Sequence, residues 1–417
     1  MTAAEGSPAP LRVNGGRLWK RHMDIARIGA IAGDGCCRLA MTPEDAEARR
    51  LLAEWGRAAN MEMRVDRAGN MIFLRPGADP ARLPVASGSH LDTQPHGGRF
   101  DGISGVLAAL EVVETLNDAG IETVAPLAVV NWTNEEGVRF APGLTGSGWY
   151  AGFLDDGALD NAPTLEGSCF AEEAERLGWR GADGPAAVRF DSFFELHIEQ
   201  GPILEQAGRR IGVVESIQGL VWLDVEVRGR DGHAGTTPMD SRSDALLASA
   251  RMLVALSEIG RAQPDARVSV GQFLPGTDGP STIMGDVRFV IDVRHPDPAT
   301  LSLLARRCSE ACVVEARTAG CEATVEQRVE ISPTRLDANC VSAVENAAAL
   351  LGESAMRMAS GALHDTCNIA EGTPAAMIFV PCRDGISHNV AEYASPEDLA
   401  AGASVLLHAM LARAGTA

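Results

Sequence analysis

Three short apolar runs in this chain each lead to a histidine or an acidic pair. Pro84 to Ser89 leads into His90, Pro126 to Trp132 leads into Glu135-Glu136, and Phe193 to Ile198 carries His197. Between the first two lies a stretch of helical spacing, Gly102 to Asn117, with Val106, Leu107, Leu110, Val113 and Leu116 on one stripe and Gly120 closing it. Apolar runs of this length read as buried strands. Strands alternating with helices predict an α/β fold whose main domain is a mostly parallel sheet flanked by helices. In such sheets, sites collect beyond the carboxyl ends of the strands, where these polar residues fall.

The middle of the chain has a different pattern. Val221, Leu223, Val225 and Val227 alternate with Trp222, Asp224, Glu226 and Arg228, as in a half-exposed strand. A helix follows over 243–259, then strands near 266–274 and 286–294, a helix over 300–318 and a strand over 322–331. Strand, helix, strand, strand, helix, strand is the order of a ferredoxin-like α+β unit. The expectation is an inserted domain over 212–328, with a discontinuous main domain of 1–211 and 329–417. The insert is expected to mediate a homodimer and to close over the site, with hinges at 209–212 and 329–333. Helices are further expected over 43–59 and 338–351, and a strand over 375–380. A last helix opens at Ser395-Pro396-Glu397-Asp398, a cap followed by proline and acids in the first turn. The first dozen residues, rich in Ala, Pro, Gly and Ser, are expected to be a loose tail.

At 417 residues the chain is long enough for two or three domains. Its formal charge of -20 and lack of any basic run argue against nucleic acid and anionic membrane surfaces as partners. Lys20 is the one lysine, so no phosphate-binding Gly-x-x-x-x-Gly-Lys loop exists, and no Gly-x-Ser-x-Gly elbow marks a serine hydrolase. Nine cysteines, odd in number and dispersed, fit a reducing compartment. With no signal segment and no long apolar run, a soluble cytoplasmic protein is expected.

The chemistry lies in five histidines: His90, His197, His233, His364 and His388, each in a glycine-rich or carboxylate-rich motif. Neutral imidazole and carboxylate together make a divalent-metal site, and a carboxylate beside it can act as a base. His90 and Asp92, two apart at a strand end, are expected to face the same way, with Asp92 either ligating or holding the imidazole. Asp101 stands in a glycine-rich turn, where a carboxylate can bridge two metals. Glu135 and Glu136 are neighbours and should point apart, one to a metal and the other to the substrate as base. Any one of these residues alone reads equally as a cap or turn residue; it is their joint occurrence that points to a metal-dependent hydrolase. The turn carrying His364 either lines a pocket or is simply tight. His22, His96, His295 and His408 read as structural. Arg294, on the polar face of its strand, reads first as a surface ion-pair residue and second as a fork for a substrate carboxylate.

Several motifs recur in order: Gly88-Ser89-His90-Leu91-Asp92, Gly97-Gly98-Arg99-Phe100-Asp101-Gly102, Asn134-Glu135-Glu136-Gly137, Glu195-Leu196-His197-Ile198-Glu199-Gln200-Gly201, Gly232-His233-Ala234-Gly235 and Gly385-Ile386-Ser387-His388-Asn389. In these the chain resembles the dinuclear-metal amidohydrolases that include N-carbamoyl-L-amino-acid hydrolases, beta-ureidopropionases and allantoate amidohydrolases. These are relatives of the aminoacylase and carboxypeptidase-type di-zinc enzymes. Histidine at 197, where the peptidase relatives carry a carboxylate, favours the carbamoyl branch. The resemblance implies two divalent metal ions per subunit, and the mixed histidine and carboxylate donors suit zinc, manganese, cobalt or nickel. His90 and His197 would bind one, Glu136 and His388 the other, and Asp101 would bridge them. Glu135 would be the base, with Asp92 and His233 as further catalytic groups. Gln200, His233 and Arg294 would touch a small substrate bearing a carboxylate, His233 entering from a partner subunit. Ser281 and Leu363 stand where asparagine and glycine are usual, which alters the shape of the expected pocket. The activity implied is hydrolysis of an N-carbamoyl-L-amino acid, with allantoate, ureidopropionate or another carboxylate-bearing amide as the alternative substrate.

Overall fold

The computed structural model describes residues 9–417 apart from 165 and 278. Of the expected N-terminal tail, residues 1–8 lie outside the described residues. Its remainder is not loose: Arg12 pairs with Glu353 at 2.7 Å, and the Leu11 carbonyl lies 2.8 Å from His408 Nε2. The chain divides into two compact units, one of Met1–Glu215 with Arg335–Ala417 and one of Ser216–Thr334.

The first unit is built on a sheet whose centre is four strands in the order Ala375–Val380, Ser192–Ile198, Val85–His90 and Leu127–Trp132. These run parallel. Every residue in them is buried, the polar Ser87, Asn131 and Glu195 included, as in a sheet covered on both faces. The sheet is parallel only there. On one side Met71–Arg75 and then Glu62–Val65 add antiparallel, and on the other Ile211–Ile217 does the same. The expected mostly parallel sheet is therefore a mixed one. The flanking strands are short or partly exposed: Glu62–Val65 has no buried residue, and Met71–Arg75 and Ile211–Ile217 are each buried over part of their length only.

Helices Ile103–Asp118, Ala338–Leu351 and Pro396–Ala414 pack on one another and on the central strands. Ser395 caps the last of these, its Oγ accepting the Asp398 N–H at 3.0 Å, with Pro396 in the first turn. Thr42 likewise caps Pro43–Ala58. The four parallel strands all end on the same edge. Their carboxyl ends deliver His90, the Asn134–Glu136 turn, His197 and the segment leading to His388.

The second unit runs strand Gly219–Arg228, helix Ala245–Arg261, strands Arg267–Pro275 and Asp286–His295, helix Pro298–Thr318 and strand Glu322–Ile331. Its sheet is antiparallel, with Asp286–His295 and Gly219–Arg228 central and Arg267–Pro275 and Glu322–Ile331 at the edges. Val221, Leu223, Val225, Val287, Phe289 and Ile291 form its core with Met252, Leu256, Leu304 and Cys308 from the helices. The alternate residues Trp222, Asp224, Asp292 and Arg294 take the other face. Among the described residues no helix is long and apolar enough to cross a membrane.

Candidate metal centre

Asp101 stands just before helix Ile103–Asp118, whose N-terminus favours a negative charge. Its two carboxylate oxygens face two different groups. Oδ1 lies 3.1 Å from His197 Nε2, while Oδ2 lies 3.3 Å from His388 Nε2. Around Oδ1, His90, Asp101 and His197 form one set able to hold a cation; around Oδ2, Asp101, Glu136 and His388 form another. The first set is fully buried, whereas His388 in the second is half exposed. Glu136 Oε2 lies 3.5 Å from His388 Nε2 and accepts Gln94 Nε2 at 2.6 Å. Glu135 turns the other way, its Oε2 3.6 Å from His90 Nε2. The neighbouring glutamates thus point apart.

Backbone carbonyls orient the two buried imidazoles. His90 Nδ1 donates to the Asp92 carbonyl at 2.9 Å and His197 Nδ1 to the Ile198 carbonyl at 2.8 Å. Each ring therefore turns its Nε2 into the site, as a metal-binding histidine must. The sequence expectation for Asp92 needs correction here. Its carboxylate stays 4.0 Å from His90 Nδ1, beyond hydrogen-bond reach, and its backbone carbonyl orients the ring. The strand ends at His90, so the alternation that would align the two side chains stops there. The Asp92 carboxylate instead accepts the N–H groups of Glu135 at 3.3 Å and Glu136 at 3.2 Å, fixing the acidic turn.

That turn begins at Asn134, in the left-handed region at φ 56°, with its Nδ2 donating to the Phe140 carbonyl at 2.7 Å and Thr145 Oγ1 at 2.6 Å. Gln200 and His388 are left-handed too, at φ 57° and 54°. Non-glycine residues held in this region cluster at functional sites. Gly102, at φ 66°, is required: a Cβ there would come 2.2 Å from the His90 ring.

Burial and like charge dominate the electrostatics. Desolvation, then Glu136, raises the Glu135 carboxyl well above its ordinary range. Desolvation, then Asp101, pushes Glu136 up to about 8. Burial lowers His90 to about 4, against the pull of Asp101. Burial also acts on His197, but there the Asp101 contact outweighs it and holds the ring up at about 9. Gly102 N–H also points at His197 Nε2, at 3.3 Å, which would suit a neutral ring; the shorter Asp101 contact decides for a shared proton. His388, in contact with Asp101, rises to about 9 despite partial burial.

Gln200 donates from Nε2 to Asp101 Oδ2 at 3.0 Å and Ser387 Oγ at 3.1 Å. Leu363 is partly buried, in the turn before His364. His364 lines the site from behind: it is buried, its ring meets that of His197 edge-on at 4.5 Å, and its Nε2 lies 2.9 Å from Ser360 Oγ. His233, Ser281 and Arg294 belong to the second unit. Strand Gly232–His233 pairs with Thr282–Ile283, and Ala234 N–H donates to the Ser281 carbonyl at 2.8 Å. His233 Nδ1 accepts the N–H groups of Gly235 at 3.0 Å and Thr236 at 3.3 Å, so the ring proton is on Nε2. Asp292 holds Arg294 on its Nε–Nη2 edge at 2.9 and 3.0 Å. His22, His295 and His408 are structural: each is held by backbone carbonyls, with Ser104 as a further partner of His22. Sequence reasoning missed Gln94, which holds Glu136, and the buried Glu392 beside Asp101.

The sequence pattern of the group described as peptidase family M20/M25/M40 matches residues 86–412. The chain belongs to that family. An N-carbamoyl-L-amino-acid amidohydrolase from Rhizobium meliloti is 44% identical over 403 residues, which is 96% of each chain. One from Geobacillus stearothermophilus is 36% identical over 400 residues, 95% of this chain and 98% of that one. Among solved structures, an amidase of the hydantoinase/carbamoylase family from Burkholderia multivorans superposes with a TM-score of 0.94 at 43% identity, covering 97% of this chain and 98% of that one. The M20 assignment agrees with the mixed α/β architecture and with a hydrolytic metal site.

Proposed function

We propose that this chain hydrolyses N-carbamoyl-L-amino acids, giving the amino acid, ammonia and carbon dioxide. The observation that carries the chemistry is Asp101, whose two oxygens face two separate imidazole-containing groups with Glu135 alongside. The donor set fits two divalent cations. Asp92, Asp101, Glu135 and Glu136 crowd four carboxyls into a desolvated space, and Glu136 Oε1 is buried there with no hydrogen-bond partner. His90 and His197 would hold one cation, Glu136 and His388 the other, and Asp101 both. Mixed imidazole and carboxylate donors suit zinc, manganese, cobalt or nickel. When bound, such a pair polarises a carbonyl and makes water a stronger acid.

The chain's own residues supply the rest. Glu135 takes the proton of the attacking water at its carboxylate, since burial gives that carboxylate a high proton affinity, and returns it to the leaving nitrogen. The C–N bond to the amino acid breaks, and the carbamic acid released falls to ammonia and carbon dioxide. His233, whose proton is fixed on Nε2, is the donor for the oxyanion and enters from a second copy of the chain. Such a donor is worth roughly 3–4 kcal/mol. Arg294, pre-oriented by Asp292, receives the substrate carboxylate. Gln200 lies against Asp101, and Ser281 and Leu363 shape the pocket.

We further read the inserted unit as the dimerisation and lid domain. Its helix Ala245–Arg261 leaves Leu246, Leu247 and Val254 at 43%, 44% and 60% exposure, and its edge strand Arg267–Pro275 leaves Leu274 at 53%. A second copy would cover both. A cytoplasmic location is supported by nine cysteines, all unpaired. The test of the substrate is an ammonia-release screen of metal-reconstituted protein over N-carbamoyl amino acids, allantoate and ureidopropionate. Turnover is expected on the first group, and preference for either of the others would move the assignment.

A further inference from the structure

Asp101 and His388 stand on loops remote in sequence, Ser387 lying 286 positions after Asp101. One buried carboxylate joins those loops. Glu392 is 3% exposed. Its Oε1 accepts the N–H of Phe100 at 2.9 Å and of Asp101 at 3.0 Å. Its Oε2 accepts Ser387 Oγ, beside His388, at 2.9 Å. The fit is close: a Cβ on Gly98 would come 2.2 Å from Glu392 Oε1.

Ser387 has one hydroxyl proton and two carboxylates within reach, Glu392 at 2.9 Å and Asp101 Oδ2 at 3.2 Å. The shorter contact draws that proton to Glu392, leaving the Asp101 oxygen to accept from Gln200 or to meet a cation. We propose that Glu392 is a positioning residue that clamps the Asp101 loop to the His388 loop and so sets the spacing of the two ligand groups. This rests on the reading of Asp101 and His388 as ligands. Glu392 touches no substrate. Its loss would leave two backbone N–H groups buried without acceptors and would turn the Ser387 proton toward Asp101.

The test compares the full-length wild type with Glu392→Gln, Glu392→Asp and Glu392→Ala. It measures zinc affinity by competition with a chelating dye, the melting temperature of the metal-free protein, and kcat and KM. Glutamine keeps an acceptor for the two N–H groups, but its amide nitrogen can only donate to Ser387 and turns that hydroxyl proton toward Asp101, so Glu392→Gln should melt close to wild type and lose less zinc affinity than the other two variants. Aspartate is one methylene short and alanine has no acceptor, so both should lose roughly 10–100-fold in zinc affinity, with kcat falling and KM holding. Where Glu392→Ala does not fold, Glu392→Asp carries the test. Two zinc ions bound by the wild type, with Glu392→Asp indistinguishable from it, would overturn the clamp alone. A wild type that binds no metal would overturn the ligand reading, and the clamp with it.

Discussion

Asp92 accepts the amide N–H of Glu135 at 3.3 Å. A buried carboxylate thus fixes the backbone of the proposed base, while the Glu135 side chain reaches toward His90. Glu135→Gln keeps shape and removes basicity. It should leave metal content at the wild-type level while kcat drops by about 10² or more. Retained activity would contradict the role, and loss of metal would make Glu135 a ligand.

Metal loading should release protons. His197 and His388 sit up at about 9 and Glu136 at about 8, so all three hold protons near neutrality that a cation must displace. Affinity should therefore climb with pH from 6 to 9, as fewer protons remain to be displaced. Calorimetry in two buffers of different ionisation enthalpy would count the protons. More than one per chain at pH 7 is expected, and none would contradict the arrangement.

The parts of the site legible in the sequence share a physical cause. His90, Glu135, Glu136 and His197 each stand at or just past the carboxyl end of a buried parallel strand, and the apolar residues of those strands mark their position in the sequence. Asp101 was marked by the glycines around it, one of which the His90 ring requires. Glu392 carried no such mark. It follows His388 in a segment without periodicity, and two of its three partners are backbone N–H groups 291 and 292 positions away. One flanking strand was hidden for a related reason: Glu62–Val65 has no buried residue, and only its partner Met71–Arg75 makes it a strand. The Asp92 expectation went astray by extending strand alternation past the point where the strand ends.

Arg294 is expected to bind the substrate carboxylate. Arg294→Lys keeps the charge and loses the planar fork, so KM should rise by roughly tenfold, about 1.4 kcal/mol. Substrate amides lacking the carboxylate should be poor for the wild type, and the variant should discriminate less between acid and amide. Equal wild-type turnover of acid and amide would make Arg294 a structural partner of Asp292.

His233 is expected to act across a dimer. His233→Ala should bind metal normally and turn over slowly, and mixing it with an inactive Glu135→Gln chain should restore part of the activity through hybrid dimers. Full activity in a dilute monomer, shown by sedimentation, would contradict the cross-subunit role.

The central claim is that Asp101 joins two metal sites. Anomalous diffraction from crystals of metal-loaded protein tests it most directly. Two peaks are expected about 3.5–4 Å apart. The Asp101 carboxylate should lie between them, His90 and His197 on one and Glu136 and His388 on the other, with ligand distances of roughly 2.0–2.2 Å. A single peak, or two peaks that do not share Asp101, would contradict it.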